Sequence, residues 1–182
     1  MFHLAKGKVV EACTELEHGC SILLDSGDVD NLSRVACNLA VAYRTAAKNQ
    51  PDGRDLTSLD AQAVTLPSGQ VLFSSHEAAC YAKAVNVLNK VREHAKKTKS
   101  QLPTWVNTEL CKSHLVWGFS LSNACRVLAK QGNLEETSAV AEAAYEQLNN
   151  AVTEGLAHSP ESLSSHLLLG ALEVFVFLAF KT

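Results

Sequence analysis

Apolar side chains recur at steps of three and four residues along most of the chain, which is the spacing of one face of an α-helix. In the first such stretch, about 4–25, the apolar positions are Val9, Cys13, Leu16, Cys20 and Leu23. The pattern continues in stretches of about 29–48, 75–98, 104–130 and 134–156. In the last of these the apolar face carries Ala141, Tyr145 and Leu148. The pattern therefore predicts five amphipathic helices.

Residues suited to helix ends separate these stretches. Gly27 and Gly132 suit the left-handed position that follows a helix, and Asp28 suits the N-cap of the next helix. Pro103 precedes the fourth stretch, and Ser159-Pro160-Glu161 signals the start of a sixth helix that reaches Phe180. Because 182 residues suit one domain, we predict an all-α fold of antiparallel helix hairpins over residues 1–182.

Residues 49–74 lack helical spacing and form a long insert between the second and third helices. Pro51, Gly53, Pro67 and Gly69 punctuate this segment. Two short apolar runs, AVTL and VLF, stand on either side of Pro67-Ser68-Gly69 and can pair as a small β-hairpin. Structureless loops of this length are uncommon in compact domains, so we expect the insert to fold locally or to carry function.

The two glycine corners lie in similar surroundings. When Gly27 is placed on Gly132, residues 16–40 align with 121–145, and seven of the 25 positions are identical. The identical pairs are Leu16/Leu121, Cys20/Cys125, Leu23/Leu128, Gly27/Gly132, Ser33/Ser138, Val35/Val140 and Ala36/Ala141. The small residues allow close helix approach, and glycine permits the turn through positive φ. The alignment predicts a repeated helix hairpin.

The run LAKQGNLEE, Leu128–Glu136, resembles the corner between helices A and B of tetratricopeptide (TPR) repeats. In that family Lys-Gln-Gly-Asp/Asn follows an aromatic residue or Leu, and a separation of 105 residues between the glycines is close to three repeats. Leu121 stands at the Trp position of the family pattern, Cys125 at its small Gly position, and Asn149 at its closing Pro. The resemblance implies a TPR-like stack of helical hairpins, with an irregular helical bundle as the alternative.

Composition limits the functions that this fold can carry. The formal net charge of −3 gives no overall field that would attract nucleic acid or an anionic membrane. Six cysteines occur without a CxxC pair, and Met1 leads directly into charged residues rather than into a secretory signal. All but Cys37 and Cys80 fall on helical apolar spacing, so we expect buried thiols and a reducing, cytoplasmic location.

Two cysteine–histidine pairs have spacings that place each pair on one helix face. His76 and Cys80 are four residues apart, and Cys111 and His114 are three apart, so two crossing helices would supply a Cys2His2 set adequate for zinc. The spacings match no zinc-finger signature, and Cys111 and His114 are typical of a small apolar filler and an interior hydrogen-bonding residue. The sequence has no GxSxG, HExxH, P-loop or GxGxxG motif. We predict no catalytic residue, cofactor or metal site, with a metal-binding or enzymatic helical bundle as the alternative.

The segment KVREHAKKTK, residues 90–99, is rich in positive charge. Its basic residues are Lys90, Arg92, Lys96, Lys97 and Lys99, against a single Glu. They suit a site for an acidic partner segment, or else a solvated helix end where cations complement the helix dipole. A nucleic-acid interface is a further alternative, but the segment lacks interleaved aromatic residues that stack on bases.

The final segment is apolar nearly all round. Leu167–Phe180 has 14 residues and contains Glu173, whereas a membrane span needs about 20 apolar residues. We therefore predict no membrane span, and expect this segment to self-associate or to meet a further part of a larger helical array. As TPR-like arrays bind peptides or partner helices in a concave groove, we predict a non-catalytic protein-interaction scaffold.

Overall fold

A computed structural model describes residues 8–48, 64–65, 71–73, 76–130, 132 and 134–158. Its helices are α1 (Val9–Ser26), α2 (Val29–Lys48), α3 (His76–Thr98), α4 (Thr104–Lys130) and α5 (Leu134–His158). The predicted all-α class is confirmed, and most helix ends lie within two residues of those predicted. Helix α1 begins at Val9, after a non-helical Lys8 with φ −90° and ψ 70°. Residues 4–7 of the predicted first helix lie outside the described residues.

Two predicted features fall wholly or partly outside the described residues. The sixth helix and its self-association concern residues 159–182, which are not described. Of the insert 49–74, the structure describes two strands, β1 (Val64–Thr65) and β2 (Val71–Phe73), which pair antiparallel. They lie within the two apolar runs predicted to form a hairpin, and a register shift separates Val64 from Thr65. Strand β1 contacts α3, and β2 contacts α5, so this pair adjoins the helices.

Left-handed glycines end the helices at both predicted corners. Gly27, between α1 and α2, has φ 74°, and Gly132, between α4 and α5, has φ 77°. The predicted N-cap is also confirmed, since the Asp28 carboxylate accepts hydrogen bonds from the backbone N–H and the side-chain amide of Asn31, at 3.1 and 2.6 Å. These hydrogen bonds hold the pKa of Asp28 below its ordinary value. Local chemistry therefore fixes where α1 stops and α2 starts.

Helices α4 and α5 form an antiparallel hairpin with the most extensive helix–helix packing among the described elements. The Cys125 thiol donates to the carbonyl of Thr137 near the corner, and the Cys111 thiol donates to the carbonyl of Ala151 further away. Residues earlier in α4 thus meet residues later in α5. At Gly118 the helices approach so closely that an added Cβ would lie 2.7 Å from Cγ of Leu148.

Helix α2 lies in the centre of the fold and packs against α1, α3 and α4. Its alanines are buried completely at Ala36, Ala40 and Ala42, so the neighbouring helices approach its backbone closely. Because α2 is covered on several sides, Cys37 is buried too, although it lies off the predicted apolar face. Cys80 on α3 is likewise buried. The sequence pattern that set these two cysteines apart from the other four is therefore wrong as a guide to burial.

The predicted buried face of α5 is wrong at one aromatic residue. Tyr145 is 39% exposed, whereas its neighbour Ala144 is completely buried. The face that packs on α4 instead follows Ala141, Ala144, Leu148 and Ala151, all completely buried. Small residues form most of this face because α4 lies very close, so a tyrosine ring fits only outside it.

Candidate functional site

A groove lies between α1 and α3, with α2 as its floor; we call it the α1/α3 groove. Helices α1 and α3 each pack against α2. Near the start of both helices, Cys13 of α1 lies close to Cys80 and Lys83 of α3. Further along, Leu24 of α1 and Lys90 of α3 line the same groove, so the two helices run in the same direction along its sides. The groove has a volume of about 590 Å³. A concave surface bounded by helices is the kind of site that accepts a helix or an extended peptide.

The inner surface of the groove is apolar. Leu32 and Leu39 from α2 contribute to the floor, Leu24 to the wall of α1, and Val87 and Val91 to the wall of α3. Leu24 and Val87 remain partly exposed and pack against the core at the same time. Leu32, Leu39 and Val91 are already buried, so a ligand would remove apolar surface from water mainly at Leu24 and Val87, at about 25 cal/mol for each Å² buried.

Polar side chains meet around Tyr43 at one end of the groove. The hydroxyl of Tyr43 donates a hydrogen bond to the Glu17 carboxylate of α1. The ammonium of Lys83 on α3 lies 5.8 Å from the centre of the Tyr43 ring, which is within the range of a cation–π contact. Burial and the hydrogen bond with Glu17 raise the pKa of Tyr43, so the phenol stays protonated as a donor.

The α3 side of the groove carries positive charge along two helical turns. Lys83 and Lys90 both line it, and seven residues place them on one face about 10 Å apart. Exposed Asn86 lies between them. Since Glu17 and Lys83 both meet Tyr43, they mark one end of the groove, and Lys90 and Leu24 mark the other end because α1 and α3 run parallel.

The structure divides the predicted basic segment among different surfaces. Lys90 lines the α1/α3 groove, whereas Arg92, Lys96 and Lys99 line a separate cleft of about 560 Å³ between the ends of α3, α4 and α5. Lys97 is exposed and lines neither. The five cations therefore do not form one continuous patch, because successive helical residues point in different directions.

The positive charge of Arg92 is neutralised by a carboxylate of a neighbouring helix. Its guanidinium makes a two-pronged ion pair with the Glu154 carboxylate of α5 and donates to the side-chain oxygen of Asn107 at 3.1 Å. Burial alone would raise the pKa of Glu154, but the hydrogen bonds and charge of Arg92 outweigh burial and hold that pKa below its ordinary value. Arg92 thus joins α3 to α4 and α5, and this candidate partner-binding residue has a structural role.

Lys99 ends α3 in a backbone conformation that usually favours glycine. Its φ is 55°, and the N–H of Ser100 donates to the carbonyl of Ala95 at 2.9 Å while that of Lys99 donates to Lys96 at 3.3 Å. This pair of hydrogen bonds is the Schellman arrangement, which satisfies the last carbonyls of a helix. The position of Lys99 is therefore set by the helix end.

The four candidate metal ligands lie on two helices. Cys80 is buried in the main core, which also holds Cys13, and Cys111 is buried against α5. His76 lies at the start of α3, and its side chain is outside the description. In the described part of the chain, no three His, Cys, Asp or Glu side chains are placed to hold one metal ion.

The cysteine thiols sit in surroundings that keep them protonated. None of the six is in a disulfide, and all six are buried. Burial is the largest cause that raises the pKa of Cys13 and Cys37 to about 12 and that of Cys20 and Cys80 to about 11. A nucleophilic or metal-bound cysteine is a thiolate, so neutral water leaves these four thiols in the unreactive form.

His114 is an interior hydrogen-bonding residue, as predicted. It is buried in α4, and its Nδ1 lies 2.8 Å from the side-chain oxygen of Gln147 on α5. Burial lowers the pKa of His114 below 6.5, although the hydrogen bond with Gln147 acts in the opposite direction. The folded chain therefore holds a neutral imidazole where the unfolded chain holds one that charges more readily.

This difference predicts a loss of stability in mild acid. As the pH falls below 6.5, His114 takes up a proton in the unfolded chain before it does so in the folded chain, and unfolding becomes more favourable. We expect urea unfolding followed by circular dichroism to give a smaller pH dependence between 6.5 and 5 in His114→Asn than in the natural chain. The same slope in both proteins would contradict the assignment to His114.

Sequence reasoning missed most residues of the α1/α3 groove. Glu17 and Lys83 lie in amphipathic helices at ordinary solvated positions, and only the packing of α1 and α3 on Tyr43 brings them together. Tyr43 is buried within the amphipathic stretch 29–48. Its role in joining two charged side chains has no signal in the sequence, because 26 residues separate it from Glu17.

No helix among the described residues is both long enough and apolar enough to cross a membrane. Comparison with models of protein families, with curated proteins and with solved structures finds no match to this chain.

Proposed function

We propose that this protein is a non-catalytic interaction scaffold that binds a helix or peptide of a partner protein in the α1/α3 groove. The observation that carries the proposal is the groove itself, with an apolar interior and charged side chains on its edges. Interfaces of this kind combine a dry centre with a polar rim. The resemblance of Leu128–Glu136 to a TPR corner supports the same proposal, since TPR-like arrays bind in concave grooves.

The chemistry of the cysteines and histidines also favours a scaffold. The described thiols are buried, and the imidazole of His114 is engaged with Gln147. These groups pack and form hydrogen bonds between the helices inside the fold, which is typical of a structural role. Six cysteines outside disulfides are also typical of a reducing compartment, and we extend the proposal to a cytoplasmic location.

A photo-crosslinking experiment tests the proposal directly. A photoreactive amino acid is placed at Ser21 of α1, which is exposed and lines the groove, or at Ile22, which is exposed and points about 100° away around the same helix. In cells that express the protein, we expect a discrete crosslinked partner from Ser21 and none from Ile22. The two positions are neighbours on α1, so they share expression and helix context.

Filling the groove supplies a second measurement. Ser21→Trp and Asn86→Trp add large side chains at exposed positions on the two sides of the groove, while Glu11→Trp and Lys96→Trp add the same side chains at exposed positions of α1 and α3 that do not line it. Binding of the crosslinked partner should be lost only in the first pair, with circular dichroism unchanged in both. Equal binding by both pairs would overturn the proposal.

A further inference from the structure

The proposed function does not specify the chemistry of the partner. The charges on the edges of the α1/α3 groove favour one class of partner segment. Resting on that function, we propose that the bound segment is an amphipathic helix with two acidic side chains seven residues apart on the flank that faces α3. The inference concerns the charge pattern of the partner, and it follows from where Lys83 and Lys90 lie relative to the apolar floor.

The α3 edge of the groove is positive, and the acid that lines the groove, Glu17, belongs to the opposite edge. Among the described residues of α3 that line the groove, Lys83 and Lys90 are the charged ones, and the others are small, apolar or amide side chains. The acidic residues of α3, Glu77 and Glu93, are exposed and lie outside the groove. A partner that lies along the groove therefore passes two ammonium groups on one side.

The spacing of these cations matches the geometry of a helix. Seven residues are close to two turns, so Lys83 and Lys90 lie on one face of α3 about 10 Å apart. A partner helix packed alongside α3 presents its own residues i and i+7 at the same separation. Acidic side chains at those two positions can approach both ammonium groups at once, whereas an irregular peptide has no such fixed repeat.

The opposite edge differs in charge, which gives the site a direction. On α1 the groove is lined by Glu17 at the end near Lys83 and by Leu24 at the end near Lys90. Glu17 already accepts the hydroxyl of Tyr43, but a carboxylate retains further acceptor sites. A partner helix is therefore favoured when the flank that faces α1 carries a cation or amide near Lys83 and an apolar side chain near Lys90.

The apolar interior requires the remaining face of the partner to be uncharged. Leu32, Leu39 and Val91 are buried at the base of the groove, and none of their side chains offers a hydrogen bond. A charged group placed there would lose its hydration without a partner. The bound helix thus needs an apolar stripe flanked by acid on the α3 side.

Two designed peptides provide the test. Both are 21-residue helices with the same leucine stripe; one carries Glu at two flank positions seven residues apart, and its twin carries Lys there. Fluorescence anisotropy with the full chain at low salt should show the Glu peptide binding about tenfold more tightly. The preference should shrink at about 0.5 M salt, because exposed charge pairs are screened.

Charge reversal within the groove supplies the matched control. The double substitution Lys83→Glu and Lys90→Glu should invert the preference, so that the Lys peptide binds more tightly. Reversal of two exposed cations outside the groove, Lys96→Glu and Lys97→Glu, should leave the preference for the Glu peptide intact. The natural chain, the two double variants and a Lys90→Gln control should all show the same helical content by circular dichroism.

The outcomes separate this inference from the proposed function. If both peptides bind equally and Ser21→Trp with Asn86→Trp abolishes both, the groove binds helices but the charge pattern is wrong. If neither peptide binds to the natural chain, both the inference and the helix-binding function are overturned. A preference that persists unchanged after reversal of Lys83 and Lys90 also overturns the inference.

Discussion

Replacing Arg44 with methionine is expected to lower the free energy of unfolding by about 3 kcal/mol. The Arg44 guanidinium of α2 donates to the Glu109 carboxylate of α4 at 2.5 Å and to the Ser113 hydroxyl at 2.7 Å. The side chains of Arg44 and Glu109 are only 15% and 19% exposed. Methionine keeps the length of the arginine stem but leaves a largely buried carboxylate with much of its compensation removed.

A second, more exposed cation that pairs with the Glu109 carboxylate provides the control. Lys112 also pairs with Glu109, at 2.9 Å, but its side chain is 50% exposed. Because an exposed pair contributes little, Lys112→Met should cost less than about 1 kcal/mol in the same urea titration. Burial alone would raise the pKa of Glu109, and the hydrogen bonds from Arg44 and Lys112 reverse that effect. Equal losses in the two variants would contradict a special role for Arg44.

Adding a side chain at Gly118 is expected to force α4 and α5 apart. A Cβ at this position would lie 2.7 and 2.8 Å from the side chain of Leu148 and 3.2 Å from its backbone nitrogen. Leu148 is completely buried, so its side chain cannot move out into solvent without repacking its neighbours. We expect Gly118→Val to lower the free energy of unfolding by about 3 kcal/mol, because overpacking in a tight core displaces backbone as well as side chains.

A second helical glycine offers a matched comparison for the smaller substitution. At Gly19 on α1 the nearest atom to an added Cβ is Cγ1 of Val35, at 3.4 Å, which is an ordinary contact. Alanine in a helix is favoured over glycine by about 1 kcal/mol, so Gly19→Ala should leave stability unchanged or raise it. Gly118→Ala should lower stability despite the same gain in helix propensity. Thermal unfolding measured for both variants decides the point, and a stabilised Gly118→Ala would refute the close approach.

The helices and their ends could be predicted because their causes are local. Gly27, Asp28 and Gly132 act through their own backbone or through a residue three positions away, and the structure places all three in their predicted roles. The spacing of apolar residues gave wrong predictions of burial where burial depends on contacts with other helices. Cys37 is buried because α2 is surrounded by three other helices, and Tyr145 is exposed because α4 lies too close to α5 for its ring. The spacing of apolar residues within one helix cannot predict the burial of Cys37 or the exposure of Tyr145.

The candidate site was only partly accessible to the same reasoning. A cluster of cations in 90–99 is visible in the sequence, but which of them faces the groove depends on helix rotation and on Glu154, some sixty residues away. Of the five, only Lys90 lines the α1/α3 groove, together with Lys83 from outside the segment. The groove arises from three helices that meet across an insert, and pairing over such separations leaves no local pattern.

The six buried thiols have a consequence for how the chain can be followed in solution. They are distributed over α1, α2, α3 and α4, and each is shielded while the helices remain packed. An alkylating reagent added to the folded protein therefore reacts only after a helix has opened, and its rate at each cysteine measures the free energy of that opening. The natural sequence thus carries its own reporters of partial unfolding, and a ligand seated in the α1/α3 groove would slow labelling first at Cys20, which lines it.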